Sequence, residues 1–514
     1  MKDETWVKNL SIKRCSYHLI TIFVGAMDYA HEVLFGKERY LKDFFFRFEG
    51  QDLEGGYFVK QQLRDLIDNT VKTIQERPDH ILKIHKETYE LNDQYFDFAH
   101  KALSKDLSKL SNKELGRLYL DLIGWQDRTQ HHSIILTWFL DSDNEDYSSL
   151  LIEKVKEYIK KSGKNINFAE AFSILTTKPE NSLGMNEEIE SFQVLKLISG
   201  DKKAKETFLN LADHDEIPKS LSKEIKNAVL NHHKKWHWIP FDYLGPAYGI
   251  DYYLQVWAGL LQQGIDSDEE IKKRKERPQN VREERDKLIA DLGINEGDKK
   301  LFDIGADIVF LKGYRKDRTF FGFFVLDKIL REMSKRLFLS MNQMHLLACW
   351  ELEDIFLNNK EVNIKELNKR LKSSILSRLK GKTQILTGEE AEKFFDSKNI
   401  EKIEVDKSIK ELVGTCASVG KAEGKIKIIN TPGEMGKMEE GDVMVAHTTF
   451  PSLVPAMKKA SAIITEDGGI TCHAAIVSRE LGTPCIVGIK IATQVLQDGM
   501  KVAVNADEGL VKIL

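Results

Sequence analysis

Between residues 1 and 378 apolar side chains recur at three- and four-residue spacing among lysines and glutamates, the period that gathers them on one face of an α-helix. The pattern predicts long helices over Tyr57–Thr73, Asn112–Leu140, Leu150–Lys161 and Arg318–Leu357. Ser267–Leu288 is highly charged and interrupted by Pro278, so it reads as a solvated helix pair or an exposed loop. After Lys380 the period changes. Gln384–Leu386 reads as a short strand, Thr387-Gly388-Glu389-Glu390 as a helix start and Ser397–Lys410 as a connector. From Leu412 onward strand-sized runs dominate: Lys425–Ile429, Val443–His447, Ala462–Thr465, Cys485–Val487, Lys501–Val504 and Leu510–Leu514. Helices are predicted between them at Pro451–Lys459 and Cys472–Leu481. Twelve of the 33 glycines and four of the ten prolines fall between Glu411 and Leu514, so turns concentrate in that last fifth of the chain.

The expected architecture is therefore multidomain: a large, mostly α-helical N-terminal body (1–378), a connector with short α/β elements (379–410) and a compact C-terminal α/β domain (411–514). With 42% hydrophobic and 30% charged residues, packed cores are available. Lys+Arg (76) nearly balances Asp+Glu (80), which leaves no global attraction for nucleic acid or an anionic membrane. The apolar run Phe320–Leu326 is far shorter than the roughly 20 residues of a membrane helix, and Met1-Lys2-Asp3-Glu4-Thr5 does not open a signal peptide. Five cysteines without CxxC spacing argue against a zinc ribbon or a disulfide framework. A cytoplasmic chain with neither nucleic-acid nor membrane partner is expected.

Chemistry concentrates in Ser461–Gly488, where an apolar strand runs into Glu466-Asp467-Gly468-Gly469. Two glycines permit a tight turn and close approach of a ligand. Thr471 is the expected N-cap of the following helix, and Gly482 its stop. His473 then stands in the first turn, where unpaired amides and the positive end of the helix dipole favour an anion. A neutral imidazole at that place suits a nucleophile that carries a phosphoryl group, with Thr471 and the Gly468 and Gly469 amides able to bond the phosphoryl oxygens. A histidine with a purely structural role at a helix start is the alternative.

The run Gly468-Gly469-x-Thr471-x-His473-Ala474-Ala475-Ile476-Val477-Ser478-Arg479 resembles, position by position, the phosphohistidine signature of PEP-utilising enzymes, among them pyruvate phosphate dikinase, PEP synthase and rifampicin phosphotransferase. Gly414-x-x-Ala417-Ser418-x-Gly420-x-x-x-Gly424, Val445-Ala446-x-x-Thr449-x-Pro451 and Val504-x-x-Asp507-x-x-Gly509 extend the resemblance over 410–514. It implies a swivelling β/β/α domain in which His473 is the catalytic residue and Thr471, Gly468, Gly469 and Arg479 stabilise the phosphoryl group. Relatives that use ATP carry an ATP-grasp domain, which cannot be placed here. Gly381-Lys382-Thr383 matches only the end of a P-loop, with Leu376 where its first glycine belongs. With the sequence ending at Leu514, the barrel that handles PEP and pyruvate is not expected either. The implied arrangement is a phosphotransferase component whose donor, ATP with Mg²⁺, belongs to a separately encoded ATP-grasp subunit, while the helical region binds a small-molecule acceptor. A non-enzymatic phosphocarrier or binding protein is the alternative.

Within the helical region the densest aromatic cluster is Trp236-His237-Trp238-Ile239-Pro240-Phe241-Asp242-Tyr243. It reads either as a core crossing between helices or as an acceptor pocket formed by Trp236, His237, Trp238, Asp242 and Tyr243, in which His237 or Asp242 would serve as base. Arg315, Lys316 and Arg318 read as charges solvating a helix start, with approach to a phosphoryl group as the alternative. His131-His132 and His232-His233 lack the spacing and third ligand of a metal site, and no metal ligand is assigned.

Overall fold

The computed structural model describes residues 4–12, 14–140, 146–210, 216–401, 409–449, 453–466, 468–469 and 472–514. Two sheets organise the chain. The first contains β1 (Thr5–Ile12), β2 (Phe44–Glu49), β3 (Asp52–Val59), β4 (Ser374–Leu379), β5 (Lys382–Thr387) and β6 (Asn399–Ile400), in the order β5-β4-β2-β3-β1-β6. The helical expectation for the N-terminal region is thus only partly met. β2 is why the strands escape periodicity: Phe44 and Phe46 meet Phe23 edge-on, while Phe45 stacks on Tyr57 on the opposite face. A strand buried on both faces shows no polar–apolar alternation. The short α/β elements of 379–410 are β5, the helix Glu389–Asp396 and β6, and they join the first sheet: β5 pairs with β4, and β6 runs parallel to β1.

Helices cover the face of this sheet that Phe44 and Phe46 line. The longest, Glu296–Leu337, has 42 residues, and every side chain from Thr319 to Leu326 is buried. The predicted helix Arg318–Leu357 is really the second half of this one, followed by the separate Met341–His345 and Cys349–Asn358. A helix apolar all round is an interior helix. Here Gly322 admits the helix Pro78–Leu103 closely: a Cβ added at Gly322 would lie 1.5 Å from the Tyr95 hydroxyl. The charged Ser267–Leu288 stretch lies within one continuous helix, Ser267–Leu292, with Pro278 inside it. The helix predicted from Tyr57 begins at Lys60, since Tyr57 to Val59 complete β3.

The second sheet contains β7 (Glu411–Val413), β8 (Thr415–Ser418), β9 (Lys421–Ile428), β10 (Val443–Ala446), β11 (Ala462–Thr465), β12 (Cys485–Val487), β13 (Lys501–Asn505) and β14 (Leu510–Ile513). Their order is β7-β14-β13-β9-β10-β11-β12-β8, with β9 to β12 parallel. Val443 and Val445 enter the core on one face, Met444 and Ala446 the core on the other, so all four residues of β10 are buried. The helix His473–Leu481 packs over the second of these faces and ends at Gly482, whose φ of 67° is the left-handed stop its sequence predicts. Among the described residues no helix is long and apolar enough to cross a membrane.

Candidate functional site

β11 delivers the chain to the loop before the His473 helix, and the loop is shaped by steric demand. Gly468 has φ +104°, and a Cβ there would come 2.6 Å from the Cβ of Cys472. The carbonyl of Gly469 accepts from the Cys472 amide at 2.9 Å. Cys472 is therefore the N-cap, with extended backbone (φ −75°, ψ 170°), and His473 is the first helical residue. Thr471, expected to cap the helix and bind the phosphoryl group, lies outside the described residues, as do Phe450 and Pro451.

The ring of His473 is held from the neighbouring loop. Its Nδ1 shares a 2.7 Å hydrogen bond with the hydroxyl of Thr449, which is 1% exposed. In the tautomer whose Nδ1–H donates to Thr449, the lone pair of Nε2 is left for chemistry. Burial, aided by the positive charge of Lys316, drives the ring from 6.5 down to about 3, so the imidazole is neutral. Arg479 lies further along the same helix. Its Nε donates to the carbonyl of Ala417 at 2.7 Å, tying the helix to β8.

His473 opens into a cavity of about 1870 Å³ between the helical region and the C-terminal sheet. Gly468, Cys472, His473 and Arg479 line it on one side, and Lys312, Arg315, Lys316 and Asp317 of the long helix on the other. Burial lowers Lys312 to about 7 and Lys316 to about 8, and Arg315 adds to both shifts. Burial raises Asp317 to about 7, against the pull of Arg318 and Lys316. Three basic side chains thus share a low-dielectric space with a neutral nucleophile. An anion beside Lys312, Arg315 and Lys316 would meet their positive charge.

Of the aromatic cluster, Trp238, Asp242 and Tyr243 line the same cavity as His473, and burial raises the Asp242 carboxyl. Trp236 and His237 are placed elsewhere: Trp236 is buried with its Nε1 donating to Glu190, and His237 Nδ1 bonds the His233 carbonyl. His447, at the cavity edge, pairs through Nδ1 with the buried Glu466, which also accepts from the Thr493 amide and hydroxyl at 2.5 Å each. Elsewhere His131 bonds Asp127 at 2.9 Å, and His232 lies 3.1 Å from Glu187. Among the described residues no group of three or more His, Cys, Asp or Glu is arranged to hold a metal.

Of the cavity basics, Arg315 and Lys316 carry a phosphoryl-binding reading in the sequence only as the second choice, and Lys312 carries none. Taken as a helix start, Arg315, Lys316 and Arg318 read as solvated, whereas the helix begins at Glu296 and places them in its middle. A three- or four-residue spacing of Lys312, Arg315, Lys316 and Thr319 is the signal that marks one shared face. The body meets the C-terminal region through Glu188, which accepts from Lys458 at 3.2 Å and from Arg274 at 2.8 Å.

Residues 438–509 match the family described as PEP-utilising enzyme, mobile domain, and the C-terminal region carries that domain. The chain is 57% identical over 100 residues to a probable phosphoenolpyruvate synthase of Archaeoglobus fulgidus, a stretch covering 20% of this chain and 13% of the relative. It is 50% identical over 108 residues to the phosphoenolpyruvate synthase of Pyrococcus furiosus, covering 21% and 13%. The similarity thus spans a small part of both relatives. A structure of Thermococcus kodakaraensis aconitase X aligns with 20% of this chain over 98% of its own, at 22% identity and a TM-score of 0.16, too low to bear on the fold.

Proposed function

We propose that the chain is a phosphotransferase component in which His473 carries a phosphoryl group from a donor on another polypeptide to an acceptor held in the cavity of the helical body. The observation that carries this reading is that His473, with Nδ1 tied to Thr449, shares one cavity with Lys312, Lys316 and Asp317 of the body. In the first half-reaction Nε2 attacks the donor's terminal phosphorus, and the bond to the donor's bridging oxygen breaks. In the second, an acceptor hydroxyl attacks the same phosphorus. The P–N bond breaks, its electron pair returns to the imidazole, and the hydroxyl proton passes to the Asp317 carboxylate. Lys312 and Lys316 face the phosphoryl oxygens as charge develops on them. ATP and Mg²⁺ belong, on this reading, to an ATP-grasp subunit.

Protein isolated from its native host, kept cold and alkaline, tests the carrier role by peptide mapping. An acid-labile phosphoryl group on His473, missing in His473→Ala, is the expected result. Absence of the group, while a known phosphohistidine survives in a control protein handled the same way, overturns it. The carrier-only alternative predicts a closed apolar interior, and a cavity lined by His473 together with Lys312, Arg315 and Lys316 favours the enzyme.

A further inference from the structure

One end of the cavity is built for something other than the phosphoryl group. Two helices present i, i+4 pairs to it: Gln126 and Gln130 from Asn112–His131, and Arg315 and Thr319 from Glu296–Leu337. All four are at most 5% exposed. Arg315 Nη1 donates to Gln130 Oε1 at 2.7 Å. Among the described residues Arg315 Nε, both polar atoms of Gln126 and the Thr319 hydroxyl have no hydrogen-bond partner. No carboxylate lies within ion-pair distance of Arg315 among the described residues either. Buried polar groups are normally satisfied, and a buried guanidinium is normally paired with an acid. Burial brings Arg315 down only to about 10, so it stays charged at neutral pH.

The walls around these groups are aromatic. The Arg315 guanidinium lies 6.0 Å from the Trp138 ring, and Tyr243 meets Phe320 edge-on at 5.3 Å, all of them at the cavity surface. Lys316, whose charge acts on His473, is the residue next to Arg315, and Thr319 lies only about 10 Å along the helix from Lys312. A ligand of one or two rings spans that interval.

Building on the phosphotransferase reading, we propose that the acceptor is an aromatic hydroxy acid, its carboxylate received by Arg315, Gln126 and Thr319 and its hydroxyl directed toward His473. The planar guanidinium takes both oxygens of a carboxylate through parallel N–H donors, which a neutral ring would leave unpaired. The Gln126 amide and Thr319 hydroxyl complete the oxygen shell, and the ring lies between Trp138 and Tyr243.

Calorimetric titration of the full chain with 3-hydroxy-2-naphthoate and with 2-naphthol tests this, since the two probes share ring and hydroxyl and differ in the carboxylate. The expected result is at least about tenfold tighter binding of the naphthoate. Arg315→Met should abolish that preference, and Gln126→Leu should weaken the naphthoate while leaving 2-naphthol unchanged. Circular dichroism identifies a variant that fails to fold, and Gln126→Leu then decides the matter alone. Equal affinities, no binding of either probe, or a preference that survives a folded variant would each overturn the assignment. The titration needs neither a phosphoryl donor nor His473, so repeating it on His473→Ala separates failure of this subsite from failure of the phosphocarrier reading.

Discussion

The hydroxyl of Thr449 lies 2.7 Å from Nδ1 of His473, joining the loop after β10 to the first residue of a helix 24 positions further on. One ring nitrogen is thereby engaged and the other left for chemistry. Treatment with potassium phosphoramidate, which needs no protein donor, should modify Nε2 and not Nδ1, as ³¹P NMR distinguishes. Thr449→Val keeps the shape and removes the hydrogen bond. Labelling should slow by about tenfold or more and lose its selectivity between the two nitrogens. Unchanged rate and selectivity would show that Thr449 does not orient the ring.

Stability should respond to acid through the same histidine. Its folded-state value is depressed to about 3, below the ordinary 6.5. Between those limits the unfolded chain binds a proton that the folded chain refuses, so this group's contribution is fully present above 6.5 and is lost as the pH falls toward 3. Urea midpoints of wild type and His473→Asn, compared from about pH 7 down to about pH 4, should show the variant gaining on the wild type. A constant difference would mean that the ring protonates normally in the folded state.

Lys316 acts on both partners of the proposed transfer. Its charge helps depress His473, so Lys316→Met should raise the histidine's titration midpoint, read by ¹⁵N NMR. Transfer from phosphorylated His473 to an acceptor should fall by about a hundredfold, while phosphoramidate labelling of the histidine persists. Loss of labelling as well would place Lys316 in the folding of the site instead.

How much of this was readable in advance depended on how far each feature reaches along the chain. β10 to β12 are short, largely apolar runs bounded by glycine or helix signals, and the helix that begins at His473 ends at a glycine stop; both are local, and the sequence places their boundaries close to those of the structure. β2 depends on β4, which lies more than three hundred residues later, and on helices covering its faces, so Phe44 to Phe48 carried no period to detect. Lys312, Arg315 and Lys316 were hidden differently. A charged face on a helix is identical in sequence whether it meets water or a cavity, and only the apposed His473 helix distinguishes the two. Trp236 and His237 show the converse, since their neighbours in sequence reach the cavity while the turn of the chain directs them elsewhere.

The contact between Gly322 and Tyr95 offers a check on the body that is independent of chemistry. Gly322→Ala forces a Cβ into the tyrosine ring and should destabilise the chain by about 1–3 kcal/mol in urea unfolding. Tyr95→Phe removes a buried hydroxyl with no partner among the described residues and should change stability by less than about 1 kcal/mol. Equal behaviour of the two variants would mean that the helices adjust freely at this crossing.

Glu188 answers to two cations from different parts of the chain. Arg274 stands beside it within the helical body, and Lys458 reaches it from the C-terminal region. Withdrawing Lys458 would leave the carboxylate still compensated, and the lysine itself, half exposed, would simply rehydrate. Parting and rejoining therefore strand no charge on either side. A half-exposed ion pair of this kind is worth about 0–1 kcal/mol, so this pair by itself does little to fasten the C-terminal region to the body.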